Sequence, residues 1–226
     1  DGPYLPTNTT ATTITPQQAA AASGKTLTLS AVTGVNGGVG WLATDVGRVM
    51  SMNGGKAKIT ARTNATVAVA TITEAFTNTD ATAAFKLGAF SDTTGHPSCV
   101  SFFEQRLVFA GTTDEPQTLY FSKSGDYENM TTGTNADDAM VYTIASNQVN
   151  KIRYLKSVRT LLIGTTGGEF SVSADGTDAA VTPTNVTIKR QSSFGAANVD
   201  AQPAGNAVLF LQRAKRKIRE LAYNFD

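Results

Sequence analysis

Three segments of the chain share one shape: an apolar strand, a turn, then an alternating strand. They are RLVFAGTTDEPQTLYFSKS, RTLLIGTTGGEFSVSAD and NAVLFLQRAKRKIRELAYN. With Leu107, Leu161 and Val208 taken as equivalent, the copies stand 54 and 47 residues apart. A period in this range is the signature of propeller blades, in which each four-stranded unit buries its faces against its neighbours. Further strand-like runs fall between the marked pairs: CVSFFEQ before the first, MVYTIAS and KIRYLKS before the second, NVTIKRQ before the third. Each copy therefore predicts the central hairpin of one blade. The third copy also fits a helix, because Leu211, Ala214, Ile218 and Leu221 recur at helical spacing. NAVLFLQ matches the other copies, which favours a strand pair.

The first half has a different texture. Residues 1–24, rich in Thr, Pro, Gln and Ala, predict an extended arm or linker with little to bury. From Lys25 to about residue 95 come KTLTLSAV, GRVMSMN, KAKITART, ATVAVATITEAF and AAFKLGAF, each short and bounded by Gly, Asn or Asp. Five such runs predict a small β-barrel or sandwich. Residues 96–226 then form the blade region. Composition agrees: 34 of 226 residues are Thr, whose branched side chain suits a pleated surface, and 20 are Gly, which suits many turns. The expected fold is all-β: a small β domain followed by part of a propeller.

Charge and cysteine content narrow the functions. Net charge is +1, so the chain as a whole carries no field that would draw in nucleic acid or an acidic membrane. No apolar run is long enough to span a bilayer. The single Cys99 excludes an internal disulfide and a multi-cysteine metal site. The ends, DGPYLP and ELAYNFD, suggest an excerpt of a larger polypeptide.

The residue types that carry chemistry are few. His96, the only histidine, lies near Cys99 and could form a nucleophile pair with it, but residues three apart on an extended chain point in opposite senses and no orienting acid adjoins them. A linker histidine and a small buried cysteine is the simpler reading. Asp126 with Glu128, and Asp137 with Asp138, are the paired carboxylates. Such pairs run glycoside hydrolysis or hold Ca²⁺, and SGDYEN approaches a loose cation site, but solvated turn residues fit better. The glycine-rich GVNGGVG and GTTGGE lack the Gly-Lys-Ser/Thr of a phosphate loop and predict hairpin turns with positive φ. The Asn-X-Thr triplets at Asn8, Asn64, Asn129 and Asn185 carry no weight in a chain this rich in Thr. The one charge cluster is Arg213, Lys215, Arg216, Lys217 and Arg219. It could face a phosphate backbone, or serve as a solvated edge that resists aggregation.

The stretch HPSCVSFFEQRLVFAGTTDEPQTLYFSKSGDYENM resembles tailed-phage and prophage structural proteins, in which FFxQRLxFAGT is followed by PQTxxxSxxGDYxNF. ASNQVNKIRYL, LLIGTTGGEFSVS, TPTNVTIKRQSSFGAANV and NAVLFLQRAKRKIRELAYNFD match as well, with weaker likeness at DGPYLP and DVGRVMSMNGGKAKITA. The set is similar to the tail tubular protein B, or nozzle, family of short-tailed phages. That resemblance implies a β-propeller with an inserted β domain, repeated around the tail axis, usually six-fold, and lining the DNA exit. It implies a virion protein without catalytic residues, cofactors or metals, partnered by copies of itself, by adaptor and fibre proteins and, transiently, by double-stranded DNA. Two rivals stay open: a carbohydrate-binding or adhesin propeller, which could depend on a cation, and a glycan-cleaving tail enzyme.

Overall fold

Burial alternates along the strands of the first half of the chain and stops alternating in the middle of the second. The computed structural model describes residues 2–145, 149–176, 179–205 and 207–222. Strands take 47% of the chain and no α-helix occurs among the described residues, so the fold is all-β. The chain divides into two units between Gly95 and His96. Parts of ASNQVN and of the terminal AYNFD lie outside the described residues.

In the first unit, β1 (Ile14–Pro16), β2 (Ala22–Leu29), β3 (Val49–Met52), β4 (Gly55–Arg62), β5 (Val67–Glu74) and β6 (Lys86–Leu87) form one antiparallel sheet in the order β1-β2-β5-β4-β3-β6. The sheet curls into a half barrel. Its strands follow the period of two that one covered face demands: in β5, Ala68, Ala70 and Ile72 are buried while Val67, Val69 and Thr71 are only partly covered. The inward set joins Leu27, Trp41, Met50, Ile59 and Phe85 in a single core. One expectation is corrected. Residues 1–24 are not a free arm, because β1 pairs with β2 through Ile14↔Leu29 and Pro16↔Leu27, and Ile14 is fully buried. The apolar positions of β1 were hidden by their polar surroundings: TITP offers a single large hydrophobe. Asn8 then fastens the preceding segment, its amide donating to the carbonyls of Thr12 and Ala83.

The second unit is built from consecutive meanders. The first joins β7 (Cys99–Phe103), β8 (Arg106–Ala110), β9 (Thr118–Phe121) and β10 (Met140–Thr143), each strand pairing with the next. The second joins β11 (Ile152–Ser157), β12 (Leu161–Thr165), β13 (Gly168–Ser173) and β14 (Thr187–Ser192) in the same way, and the third joins β15 (Gln202–Ala204), β16 (Ala207–Leu211) and β17 (Ile218–Ala222). All five residues of β12 are buried. Leu161 and Ile163 enter one core with Val108, Leu119, Phe121 and Met140 of the first meander. Leu162 enters another with Tyr154, Val208 and Phe210. β12 and β13 are thus covered on both faces, which is why these strands lose the polar alternation. At about 1.5–3 kcal/mol for each fully buried large apolar side chain, these two cores dominate the stability of the unit.

A buried arginine shapes the long connection from β9 to β10. Arg106 is 2% exposed. Its guanidinium donates to the carbonyls of Ser122 (2.8 Å), Ala136 (2.6 Å) and Asp138 (2.6 Å). Burial lowers its pKa from the usual arginine value, and the nearby carboxylates of Asp137, Glu104 and Asp138 oppose that shift. The fixed fork of donors lets one cation hold several backbone acceptors.

Candidate functional site

The basic run folds as a hairpin, not a helix. β16 and β17 pair with Phe210 opposite Arg219 and Leu211 opposite Ile218. Local helical spacing loses because the strand form lets Val208 and Phe210 fill the core against Leu162 while Leu221 packs from the partner strand. The turn is closed by Gln212 N–H donating to the Lys217 carbonyl at 2.9 Å, and Lys215 takes a left-handed φ of 56° within it. Lys215, Arg216 and Lys217 are exposed at its tip. Arg213 and Arg219 are held differently. The Arg213 backbone N–H donates to the Gly195 carbonyl (2.8 Å) and its guanidinium to the Thr166 carbonyl (3.1 Å). The Arg219 guanidinium carbon sits 3.9 Å from the centre of the Phe194 ring, a cation–π contact, and its Nε donates to Gln212 Oε1 at 3.3 Å.

One further cation, Arg190, joins this surface. It is exposed on β14. Arg190 donates to the Gly167 carbonyl at 2.8 Å, next to the Thr166 carbonyl that receives Arg213. The β12–β13 turn therefore gathers guanidinium groups from two segments distant in sequence. Arg190, inside NVTIKRQ, was visible as a charge, but its placement beside the hairpin depends on how the second and third meanders pack. A cluster of this kind attracts anions within a Debye length, about 8 Å at physiological salt.

Beneath it lies a buried carboxyl that sequence reasoning missed. Glu169 is fully buried on β13. Its Oε2 accepts a hydrogen bond from the Ser192 hydroxyl, while Oε1 has no hydrogen-bond partner among the described residues. Burial raises its pKa above the ordinary carboxylate value; the Ser192 hydroxyl and the N–H groups of Phe194 and Gly195 favour the charged form and act the other way, as does Arg190. Tyr154, Gly164 and Glu169 lie abreast on β11, β12 and β13. A Cβ on Gly164 would lie 1.9 Å from Tyr154 Cε1, so the tyrosine ring crosses β12 over the space a side chain would fill. The Tyr154 hydroxyl is also buried and without a hydrogen-bond partner among the described residues.

The remaining candidates are dispersed. His96 is exposed, and the Cys99 thiol, 3.7 Å from Ser98 Oγ, has its pKa raised by burial, the opposite of an activated thiolate. Cys99 borders an open groove of about 320 Å³ whose charged lining is internally paired, Lys156 with Asp200 at 2.7 Å and Arg153 with Asn198 at 3.3 Å. Asp126 and Glu128 are exposed, and the cation beside Asp137 and Asp138 is Lys123, with Nζ at 3.0 and 4.0 Å. Among the described residues no three His, Cys, Asp or Glu groups gather as metal ligands. The glycines of GVNGGVG do take positive φ at 37, 38 and 40, but those of GTTGGE do not; there Gly164 makes room for Tyr154. Three of the Asn-X-Thr triplets act as local turns: Asn8 and Asn64 each accept both the amide and the hydroxyl of the Thr two residues on, and Asn129 accepts the Thr131 amide, whereas Asn185 accepts the Asp175 amide instead. No helix among the described residues is long and apolar enough to cross a membrane. No family model and no curated protein matches the chain.

Proposed function

We propose that the chain is a structural subunit of a phage or prophage tail, at the nozzle or tail-tube tip, and that it works as part of an oligomeric, six-fold ring around the DNA exit. In this reading 96–226 supplies propeller blades and the half-barrel unit is an insertion between them. The observation that carries it is the four-stranded second meander, whose strands β12 and β13 are covered on both faces by cores shared with the meanders before and after it. Stacking of successive antiparallel sheets is how propellers hide strand faces and gain stiffness, and a closed ring supplies a channel. Adaptor and fibre proteins are the expected neighbours, and the virion is the expected location. The exposed cations Arg213, Lys215, Arg216 and Lys217, with Arg219 seated on Phe194, give duplex DNA brief, sequence-independent contacts. The role is mechanical, without catalysis.

Electron microscopy of the purified protein tests the ring: closed six-fold particles support the proposal, and monomers at every concentration overturn it. A second reading, a carbohydrate-binding module, draws on one observation. Phe102 and Tyr127 are 59% and 44% exposed and meet edge to face, 5.2 Å apart. Such a pair could stack against a sugar ring. Glycan-array binding that Phe102→Ala abolishes would favour this reading over the tail subunit.

A further inference from the structure

We infer that Glu169 is the positioning residue of the basic hairpin: its buried carboxyl fixes the 193–197 loop, and that loop seats Arg213 and Arg219. The chain of contacts is continuous. Glu169 Oε2 takes the hydroxyl of Ser192, the last residue of β14 and the one that leads into the loop. The loop then meets the hairpin at four points. The Gly195 carbonyl receives the Arg213 N–H at 2.8 Å, and the Phe194 ring lies under Arg219. The Leu211 carbonyl receives the Ala197 N–H at 2.8 Å, and Ala196 bridges Gln212.

The loop also runs close against the β12–β13 turn. Gly195 adopts φ 72°, and a Cβ there would lie 2.4 Å from the Thr166 carbonyl oxygen, so its path is a tight passage against the β12–β13 turn. The Thr165 carbonyl accepts from the Ala196 N–H at 2.7 Å just beyond. A buried carboxyl is costly to keep unless it is hydrogen-bonded. Here the donor that offsets that cost is the Ser192 hydroxyl at the root of the loop, which ties the start of the loop to β13. Glu169 touches no ligand; it acts through the loop on the cations that would. The inference about position stands on these contacts alone, and only its consequence for DNA rests on the function proposed above.

The experiment measures amide hydrogen exchange and duplex binding on the full chain, with Glu169→Ala, Glu169→Gln and Ser192→Ala. Expected for Glu169→Ala is exchange faster by about tenfold or more at 193–197 and 211–219, with the β7–β10 meander unchanged. The slope of log affinity for a short DNA duplex against log salt should shrink by about one to two, as Arg213 and Arg219 leave the contact set. Glu169→Gln, which keeps an acceptor for Ser192, should restore both readouts to near the native values. Unchanged exchange at 193–197 and 211–219, or acceleration spread evenly over the unit, overturns the inference. If Glu169→Ala does not fold, Ser192→Ala decides, with local acceleration supporting the inference and none overturning it. Local acceleration in a protein that shows no salt-dependent duplex binding supports the positioning role and removes DNA as the partner.

Discussion

Asp45 Oδ1 and Arg48 Nη1 stand 2.9 Å apart, and neither side chain is more than 1% exposed. Both are further held: Asp45 Oδ2 accepts from Asn36 Nδ2 and the Leu42 N–H, and Arg48 Nε donates to the Gly88 carbonyl. Removing one partner strands the other charge inside. Asp45→Ala should therefore destabilise the protein by about 3–5 kcal/mol, whereas Asp45→Ala with Arg48→Met should recover much of the loss. Urea unfolding of the three proteins checks this; equal losses in single and double variants would count against the pair.

Gly164 makes room for the Tyr154 ring. A methyl at that position overpacks the face, and Gly164→Ala should cost about 1–3 kcal/mol or more. Combining it with Tyr154→Ala should give less than the sum of the two single losses. Thermal melts of all four proteins measure the coupling, and strict additivity would refute the packing account.

The raised pKa of Glu169 sets a pH dependence. Burial is the main cause, lifting it above its ordinary 4.5. The folded chain then binds the proton more tightly than the unfolded chain, so stability falls as pH rises between the two values. The contribution is complete below the unfolded value and is lost as pH rises through the raised folded one. As pH rises above the ordinary carboxylate value, the melting temperature of the native protein should drop more than that of Glu169→Gln. Parallel pH profiles for the two proteins would contradict this.

Adjacent residues of β12 serve different cores, Leu162 with Phe210 and Ile163 with Phe121. Each truncation to Ala should cost about 2–5 kcal/mol. Their signatures should differ: near-native-state exchange should rise first in β16–β17 for Leu162→Ala and in β8–β9 for Ile163→Ala. Identical exchange maps would argue against two separate cores.

Strand content was legible wherever one face is covered. VAVATITE shows the alternation in its burial, and its later letters suggest it, with Ile72 set between Thr71 and Thr73; RLVFA alternates only in its burial, since its one polar residue, Arg106, is among the covered positions. The hairpin of the third copy could be recognised only by likeness to the other copies, since IRELA by itself satisfies helical spacing. β1 could not be seen, because one isoleucine in a Thr-Pro context gives no period. The basic run was legible as charge, but the contribution of Arg190 depends on contacts between meanders. Glu169 was invisible for a physical reason: a glutamate in GTTGGEF looks like an exposed turn residue until Tyr154, Ser192 and the 193–197 loop enclose it. The expectation that GTTGGE needs positive φ failed because a glycine can serve by the absence of its side chain as well as by its torsion freedom.

The acceptors around Arg106 are main-chain oxygens of Ser122, Ala136 and Asp138. Every residue type carries that oxygen. Substitutions along the β9–β10 connection can therefore accumulate without erasing its course, while position 106 tolerates no replacement that lacks a planar fork of donors. Among variants of this protein, the loop is free to diverge in wording and keep its contour, with a single distant arginine as its template.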